Sequence, residues 1–309
     1  MEYIAVLKGP DVLIRHLAYF VTLAEEKHFA RAAEICNVAQ PTLSAAIRKL
    51  EEDLAVTLII RGNRFTGLTP EGERALEWGR QILLDHESML KDVNGSHQGV
   101  TGRLRLGVIP AAMPSSALVS DLFCRRNPGA TIDIRSMTSR DIQHGLDTFE
   151  LDGALTYLEN EPLEHVRRMP LYRERYVFIC RADHALASRS SLTWAEAAAE
   201  RLCLLSEDMQ NRRILDAIAA LAGVVIRPTV VSNSFLAVCA HVQNGSWSSI
   251  VPHTFPQVFG DTASLAVIEM SDQVQTQAIG LVTSDRSPQS PMTRALLSAL
   301  DEYDFGSAF

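Results

Sequence analysis

Three groups of side chains stand at spacings that could do chemistry. Gln40, Thr42 and Ser44 alternate through the start of a segment that Pro41 opens, and Arg48 and Lys49 follow one turn later. Amide, hydroxyl and cation in that order suit duplex DNA: glutamine pairs with adenine N6 and N7, hydroxyls reach base edges or phosphate, and cations take phosphate. Further on, Met113, Pro114, Ser115 and Ser116 lead into a predicted helix. Free N–H groups and the positive dipole end there favour an anionic or polar ligand, with the serine hydroxyls as added donors. The third group, Ser88-Met89-Leu90-Lys91, fits the SxxK acylation pattern but lacks its partner motifs. Blander readings stay open beside these: Gln40 and Ser44 as helix caps, Ser115 or Ser116 as an N-cap, and the cations as a solvated face.

No phosphate-binding glycine loop, HExxH or GxSxG occurs, and the nine histidines show no metal-ligand spacing. The five cysteines, Cys36, Cys124, Cys180, Cys203 and Cys239, are odd in number and irregularly spaced, which predicts reduced core residues rather than disulfides or a metal clip. Neither catalysis nor a cofactor nor a metal has a constellation to stand on.

The elements that must position these groups follow from periodicity. Ile14, Leu17, Ala18, Val21 and Ala24 recur at helical spacing. A short helix over 29–36 ends at Asn37, a residue that tolerates a left-handed turn, and a third helix opens at Gln40 and Pro41 with Leu43, Ala46, Ile47, Leu50 and Leu54 on its apolar face. Three helices with a tight last turn form a helix-turn-helix candidate. A strand over 57–60, a turn carrying Arg61 and Arg64, and a helix capped by Thr69 with Pro70 first make it a winged variant, in which Arg61 and Arg64 suit phosphate or minor-groove contact. The new helix is predicted to run to about residue 94; Ala75, Ile82 and Met89 fall seven apart beside Leu76, Leu83 and Leu90, a stripe that predicts pairing with a second copy.

After a flexible stretch at 95–99 the grammar changes to strand and helix in turn: strands at 104–109, 131–137 and 153–157 with helices at 116–126 and 140–149, then a second block with strands at 176–180, 203–205, 229–232, 250–251, 265–269 and 278–282 and a closing helix at 292–303. Such alternation predicts right-handed crossovers, a largely parallel sheet, and two α/β lobes with a ligand crevice at the strand ends.

Composition bounds the reading. The 309 residues carry 29 basic and 37 acidic side chains, a net charge of -8, and are 47% hydrophobic, which fits a globular chain of two or three domains. No stretch approaches the roughly 18 apolar residues of a membrane span, and the N-terminus has no export-signal pattern, so the cytoplasm is expected. The acidic total argues weakly against nucleic acid, but over 12–70 Arg15, Lys27, Arg31, Arg48, Lys49, Arg61 and Arg64 face Glu25, Glu26, Glu34, Glu51, Glu52 and Asp53, so the cationic excess is local.

These residues carry a family pattern: Phe29-Ala30-Arg31-Ala32-Ala33-Glu34, Val38-Ala39-Gln40-Pro41-Thr42-Leu43-Ser44, Ile47-Arg48-Lys49-Leu50-Glu51-Glu52-Asp53-Leu54 and Leu68-Thr69-Pro70-Glu71-Gly72. The chain resembles the LysR-type bacterial transcriptional regulators over that stretch; the remainder agrees in length and α/β order. The resemblance implies a winged helix-turn-helix over 13–70, a dimerising linker helix over 71–94, a hinge over 95–101 and a two-lobed effector domain over 102–309 similar to periplasmic solute-binding proteins. Lobe I would cover about 102–170 and 278–309, and lobe II about 171–277. It also implies promoter DNA, a small effector and RNA polymerase as partners, and a homodimer assembling to a homotetramer. Residues 1–12 read as an extension before the usual family start, with Val12 as an alternative start. The crevice would be lined further by Thr138, Ser139, Tyr157, Ser206, Asn233, Ser234 and Pro252, with a small carboxylate or similar polar metabolite as the favoured ligand.

Departures from the pattern carry expectations of their own. Ala45 stands where many members have arginine, which puts direct guanine readout there in doubt, and Ala55-Val56 replaces a common Gly-Val pair, so the third helix need not end left-handed. Peroxide-sensing members use two nearby cysteines in the second lobe; residues 204–211 contain none, so a thiol switch is not expected. The rival readings are a stand-alone solute-binding protein, which leaves residues 1–94 unexplained, and an α/β hydrolase, which needs the missing nucleophile elbow.

Overall fold

The computed structural model describes residues 10–61, 65–93, 100–258, 264–272 and 275–308. The chain forms two compact units, residues 1–97 with 148–150, and residues 98–147 with 151–309.

In the first unit, α1 (Pro10–Glu26), α2 (Phe29–Ile35) and α3 (Gln40–Leu54) bury Leu17, Phe20, Leu23, Ala32, Ala33, Leu43, Ile47 and Leu50 in one core. Proline suits a first helical position, where its missing N–H has no partner to lose; Pro10–Val12 therefore continue α1, and only residues 1–9 of the expected extension lie outside the described residues. Asn37 turns left-handed between α2 and α3, with φ 53°.

The end of α3 corrects an expectation. Ala55 adopts φ 55° and ψ 30°, the left-handed conformation, although it is not glycine. Its N–H donates to Glu52 O at 3.2 Å and that of Val56 to Glu51 O at 3.1 Å, so two terminal carbonyls are satisfied by a Schellman-type closure that outweighs the strain at Cβ.

The wing is a two-stranded ribbon, β1 (Ile59–Arg61) with β2 (Phe65–Leu68), in antiparallel register. Thr57 and Leu58 stay out of that ladder because other partners take them. The buried Glu51 carboxylate accepts from Leu58 N at 2.9 Å and Ile59 N at 3.2 Å, while Thr69 Oγ1 donates to Thr57 O at 2.6 Å. Thr69 also caps α4 (Pro70–Val93), accepting from Gly72 N at 2.9 Å. Gly72 is required there, since a Cβ would lie 2.1 Å from Leu58 O.

On α4, at about 100° per residue, two apolar stripes diverge by about 120°. Leu76 is buried in the unit's own core and Leu83 packs against it, while a Cβ on Gly79 would come within 3.1 Å of Val21 Cγ2. Leu76 and Leu83, expected to face a second copy, thus serve the intramolecular core. The other stripe leaves Trp78 69% exposed, Ile82 39% and Met89 55%; Leu90 continues the line of Leu76 and Leu83 but is 45% exposed.

The second unit opens with β3 (Gly102–Val108), a 3₁₀ turn at Pro110–Ala112, α5 (Met113–Arg126), β4 (Ala130–Ser136), α6 (Ser139–Asp147), β5 (Gly153–Tyr157) and β6 (Val166–Glu174). After β7 (Tyr176–Arg181) come β8 (Ser191–Leu192), α7 (Trp194–Ala198), β9 (Cys203–Leu205), α8 (Gln210–Leu221), β10 (Val230–Ser232), α9 (Phe235–Asn244), β11 (Ser249–Pro252), α10 (Phe255–Val258), β12 (Leu265–Met270), β13 (Gln277–Ser284) and α11 (Pro291–Leu300). One sheet runs β4-β3-β5-β13-β6 and another β11-β7-β12-β8, with β9 and β10 paired apart.

The largely parallel sheet expected from the alternation is instead mixed. β3 is parallel to β4 and β5, and β9 to β10, because helices cross between them; β13 is antiparallel to β5 and β6, and β7 to β11 and β12. The antiparallel pairs arise where the chain changes sheets: β6 ends the first sheet's edge and passes through Arg175 to β7 in the other sheet, and β13 returns to the first sheet after β12. Residues 171–174 accordingly belong to the first sheet rather than to the second lobe. β6 was not foreseen because Pro170 interrupts it; the proline sits opposite Gly280 in an edge strand, where a missing donor is tolerated.

The core of this unit contains a fully buried carboxyl. Glu174 ends β6 with Tyr157 OH donating to its Oε1 at 2.6 Å, and Asn211 Nδ2 donates to the hydroxyls of Tyr157 at 2.7 Å and Tyr176 at 3.0 Å. Burial pushes the Glu174 carboxyl up to about 8, so it stays protonated at neutral pH. An acid that holds its proton longer when folded than when unfolded makes stability fall as pH rises between the two pKa values. The loss here begins near the ordinary carboxylate range and is complete above about 8. Glu174→Gln keeps the shape and removes the ionisation, so it is predicted to raise the thermal unfolding midpoint by several degrees at pH 8 and much less at pH 5, at up to about 1.4 kcal/mol per pH unit. Equal shifts at both pH values would contradict a neutral carboxyl at this position.

Candidate DNA-facing helix and effector cavity

α3 separates its two faces cleanly. Leu43, Ala46, Ile47, Leu50 and Glu51 are buried, whereas Gln40, Pro41, Thr42, Ala45, Arg48 and Lys49 are exposed and Ser44 is half-buried. The N-cap is Ala39, with no side-chain cap; Gln40 and Ser44 therefore do not cap the helix. The Thr42 N–H donates to Ala39 O at 2.9 Å, and the amide and hydroxyls of Gln40, Thr42 and Ser44 lie at the same end of the helix. The cations differ. Lys49 pairs with Asp53 at 2.9 Å and Glu52 at 3.4 Å, while Arg48 makes no ion pair among the described residues. Arg61 ends β1, and Gly62 to Arg64 lie outside the described residues, as do Gly95 to Gly99 of the expected hinge. Phe65 of β2 meets Phe29 of α2 edge-on with ring centroids 6.5 Å apart, tying the ribbon to the helical core.

In the second unit a cavity of about 670 Å³ opens at the carboxyl ends of β3, β4, β5 and β9. Its wall holds Thr138, Ser139 and Tyr157, as expected, together with Arg140, Asp141, Glu161, Asp208, Gln210, Asn211 and Arg213, which sequence reasoning did not single out. The first turn of α8 supplies several of these, and the strand-end rule applied to β9 would have pointed to it.

Polar groups are tied across the cavity. Ser139 Oγ donates to Gln210 Oε1, and Gln210 Nε2 donates to Asn160 O, so the buried Gln210 side chain joins α8 to the segments after β4 and β5. Thr138 Oγ1 donates to Asp141 Oδ2 at 2.7 Å at the start of α6. Arg213 forks Glu161, Nε to Oε1 at 2.9 Å and Nη2 to Oε2 at 2.6 Å; this holds the Glu161 carboxyl below the usual carboxylate range and raises the guanidinium.

Other expected ligand residues fall elsewhere. Met113, Asn233 and Ser234 line a second cavity of about 380 Å³ with Ser136, Phe235 and Phe255, and Pro110 borders both. Ser115 and Ser116 correct the reading of the first helix: α5 starts three residues early, at Met113, so they lie inside its first turn. Both are buried, with hydroxyls donating to Ala112 O at 2.8 Å and Met113 O at 2.7 Å, and are neither N-caps nor cavity donors. Pro114 is on neither wall. Ser206 N donates to Ser232 O, and Pro252 is buried opposite Tyr176 in β11; neither borders these cavities.

The cysteines are only partly core residues. Cys180, Cys203 and Cys239 are buried, but Cys36 is half-buried and Cys124 exposed. Burial pushes the thiols of Cys180 and Cys239 up to about 11 and raises that of Cys203, opposite to what a reactive thiolate needs.

Comparison with known proteins agrees with this geometry. Residues 14–73 match the bacterial regulatory helix-turn-helix protein, lysR family, and residues 97–304 the LysR substrate binding domain. The chain is 30% identical over 290 residues to the uncharacterized HTH-type transcriptional regulator YnfL of Escherichia coli (strain K12), covering 92% of this chain and 96% of that protein. It is 31% identical over 195 residues to the DNA-binding transcriptional dual regulator OxyR of the same strain, covering 63% of this chain and 64% of that protein. The fold is shared with a cysteine-to-aspartate variant of full-length OxyR from Pseudomonas aeruginosa, at TM-score 0.76 and 24% identity over 95% of this chain and 99% of that one. It is shared too with CbnR in complex with its target DNA, at TM-score 0.67 and 21% identity over 93% and 98%. The chain belongs to the LysR family of transcriptional regulators, with a helix-turn-helix followed by an effector-binding domain, and is not an enzyme.

Proposed function

We propose that this chain reads duplex promoter DNA with the exposed end of α3, and that a small polar metabolite, favoured to be a carboxylate, in the 670 Å³ cavity modulates that reading. The observation that carries the first part is the exposed row Gln40, Pro41, Thr42 and Arg48 on the face of α3 opposite its buried one. Gln40, Thr42 and Ser44 address base edges or phosphate, Arg48 takes phosphate, Lys49 contributes once its acidic neighbours yield, and Arg61 and Arg64 of the wing take flanking phosphate or the minor groove. Two reading heads are brought together by the Trp78, Ile82 and Met89 stripe of α4 against the same stripe of a second copy, with the exposed Leu90 at the far end of the Leu76–Leu83 line adding to the contact; two dimers then form a tetramer. The effector shifts the balance between two arrangements of the lobes through its differential affinity for them, changing the spacing of the heads and their presentation to RNA polymerase in the cytoplasm. No described helix is long and apolar enough to cross a membrane.

Arg48→Ala is expected to weaken binding to DNA upstream of the protein's own gene and to reduce the slope of log affinity against log salt by about 1. Lys49→Ala changes the slope less, because Lys49 is already paired. Fluorescence anisotropy across a salt series reads both, and an unaltered slope for Arg48→Ala removes that face from the interface. Trp78→Glu puts a charge on the exposed stripe and leaves the intramolecular one intact; sedimentation at micromolar concentration is expected to show smaller assemblies with unchanged helix content. Assemblies of unchanged mass would move the dimer contact off α4.

A further inference from the structure

The guanidinium of Arg213 is anchored on one edge and offered on the other. Its Nη1 donates to Glu207 O at 3.2 Å and Asp208 O at 2.7 Å, carbonyls just before α8, which fixes the plane of the group. Its Nε and Nη2 edge points to two carboxylate oxygens, both from Glu161 of the same chain. That edge is the fork that recognises planar two-oxygen anions in bidentate fashion. Both residues border the cavity at the strand ends, one after β5 and one on α8.

Glu161 is held there against its backbone. Asn160 and Glu161 have φ of 52° and 61°, two successive left-handed residues of which neither is glycine. Gln210 grips the Asn160 carbonyl, and Asn160 Nδ2 in turn donates to Gln277 Oε1. The ion pair is half in water, its side chains 41% and 55% exposed, so solvent screens it and it is weak enough to exchange.

We propose that Glu161 is a built-in stand-in for the effector's anionic group: it occupies the carboxylate-recognising edge of Arg213, and an effector bearing a carboxylate or a similar oxyanion binds by displacing it. This rests on the reading of the cavity as the effector site and adds the group that discriminates ligands. Displacement frees the left-handed pair and breaks one tie between the β5 loop and α8, so ligand chemistry is coupled to the separation of the two walls. Arg140 borders the same cavity, but no second anchor fixes its guanidinium among the described residues.

The test uses the full chain, with succinate and sulfate as probes, titrated calorimetrically against wild type, Glu161→Gln, Arg213→Ala and the double variant. With the competitor neutralised, Glu161→Gln is expected to bind succinate about three- to fivefold more tightly than wild type, the range an exposed ion pair supports. The gain is expected to vanish in the double variant. A parallel gain for sulfate makes the edge a general oxyanion receptor, and a gain for succinate alone makes it a carboxylate receptor. Hydrogen exchange gives a second readout: Arg213→Ala, and wild type saturated with succinate, are both expected to speed exchange over 158–162. Equal succinate affinities in wild type and Glu161→Gln, or a gain that persists without Arg213, overturn the proposal. If succinate still protects residues around Thr138 and Gln210 in that case, the effector cavity survives it; if no probe protects the cavity in any variant, both readings fall.

Discussion

A single helix, α3, has to be two things at once. Leu43, Ala46, Ile47 and Leu50 hold it in the core on one side, while Gln40, Pro41, Thr42 and Arg48 stay in water on the other. The buried Glu51 resolves what would otherwise be a conflict: its carboxylate accepts two backbone N–H groups at the start of β1 and so fixes the wing against the end of the same helix. Without that acceptor, two N–H groups would be left buried and unpaired, at about 1 to 3 kcal/mol each. The acidic run Glu51-Glu52-Asp53 is therefore not a uniform solvated face. One member is structural, and the other two hold Lys49.

The second unit solves a different problem with the same economy. The chain leaves the first sheet at Arg175 and returns to it with β13, which brings the carboxyl end of β9 to those of β3, β4 and β5 around one cavity. Behind the cavity floor, Tyr157, Asn211 and Tyr176 carry hydrogen bonds inward to a carboxyl kept neutral by burial. In front of it, Ser139, Gln210, Arg213 and Glu161 connect the walls. The floor is a packed, buried network, while the Arg213–Glu161 tie at the front is half exposed and exchangeable, which is where a ligand can act.

The helix-turn-helix was legible because its signals are local: apolar spacing, Asn37 in a left-handed turn, Pro41 and Pro70 in first turns, and Thr69 as a cap. What depends on distant partners was not. The sequence stripe on α4 could not reveal that Leu76 and Leu83 join the core of their own unit while Trp78 is exposed, since one face of a helix looks the same whether its partner lies in the same chain or another. Ser115 and Ser116 misled because the 3₁₀ turn at Pro110–Ala112 brings α5 forward, turning their hydroxyls onto backbone carbonyls. Ala55 shows the limit of reasoning from residue preference: the demand of the helix end for hydrogen-bond donors overrides the reluctance of alanine to turn left. Arg213 and Glu161, 52 residues apart, left no local signal.

The most direct measurement of the central claim is hydrogen exchange of the full chain, free and bound to a duplex from upstream of its own gene, resolved to short peptides. Slowed exchange on binding is expected to concentrate at the N-terminal turns of α3 and the tip of the wing, with the Leu43 to Leu50 core face already protected in both states. Slowing confined to the second unit, with residues 39–49 unchanged, would contradict it.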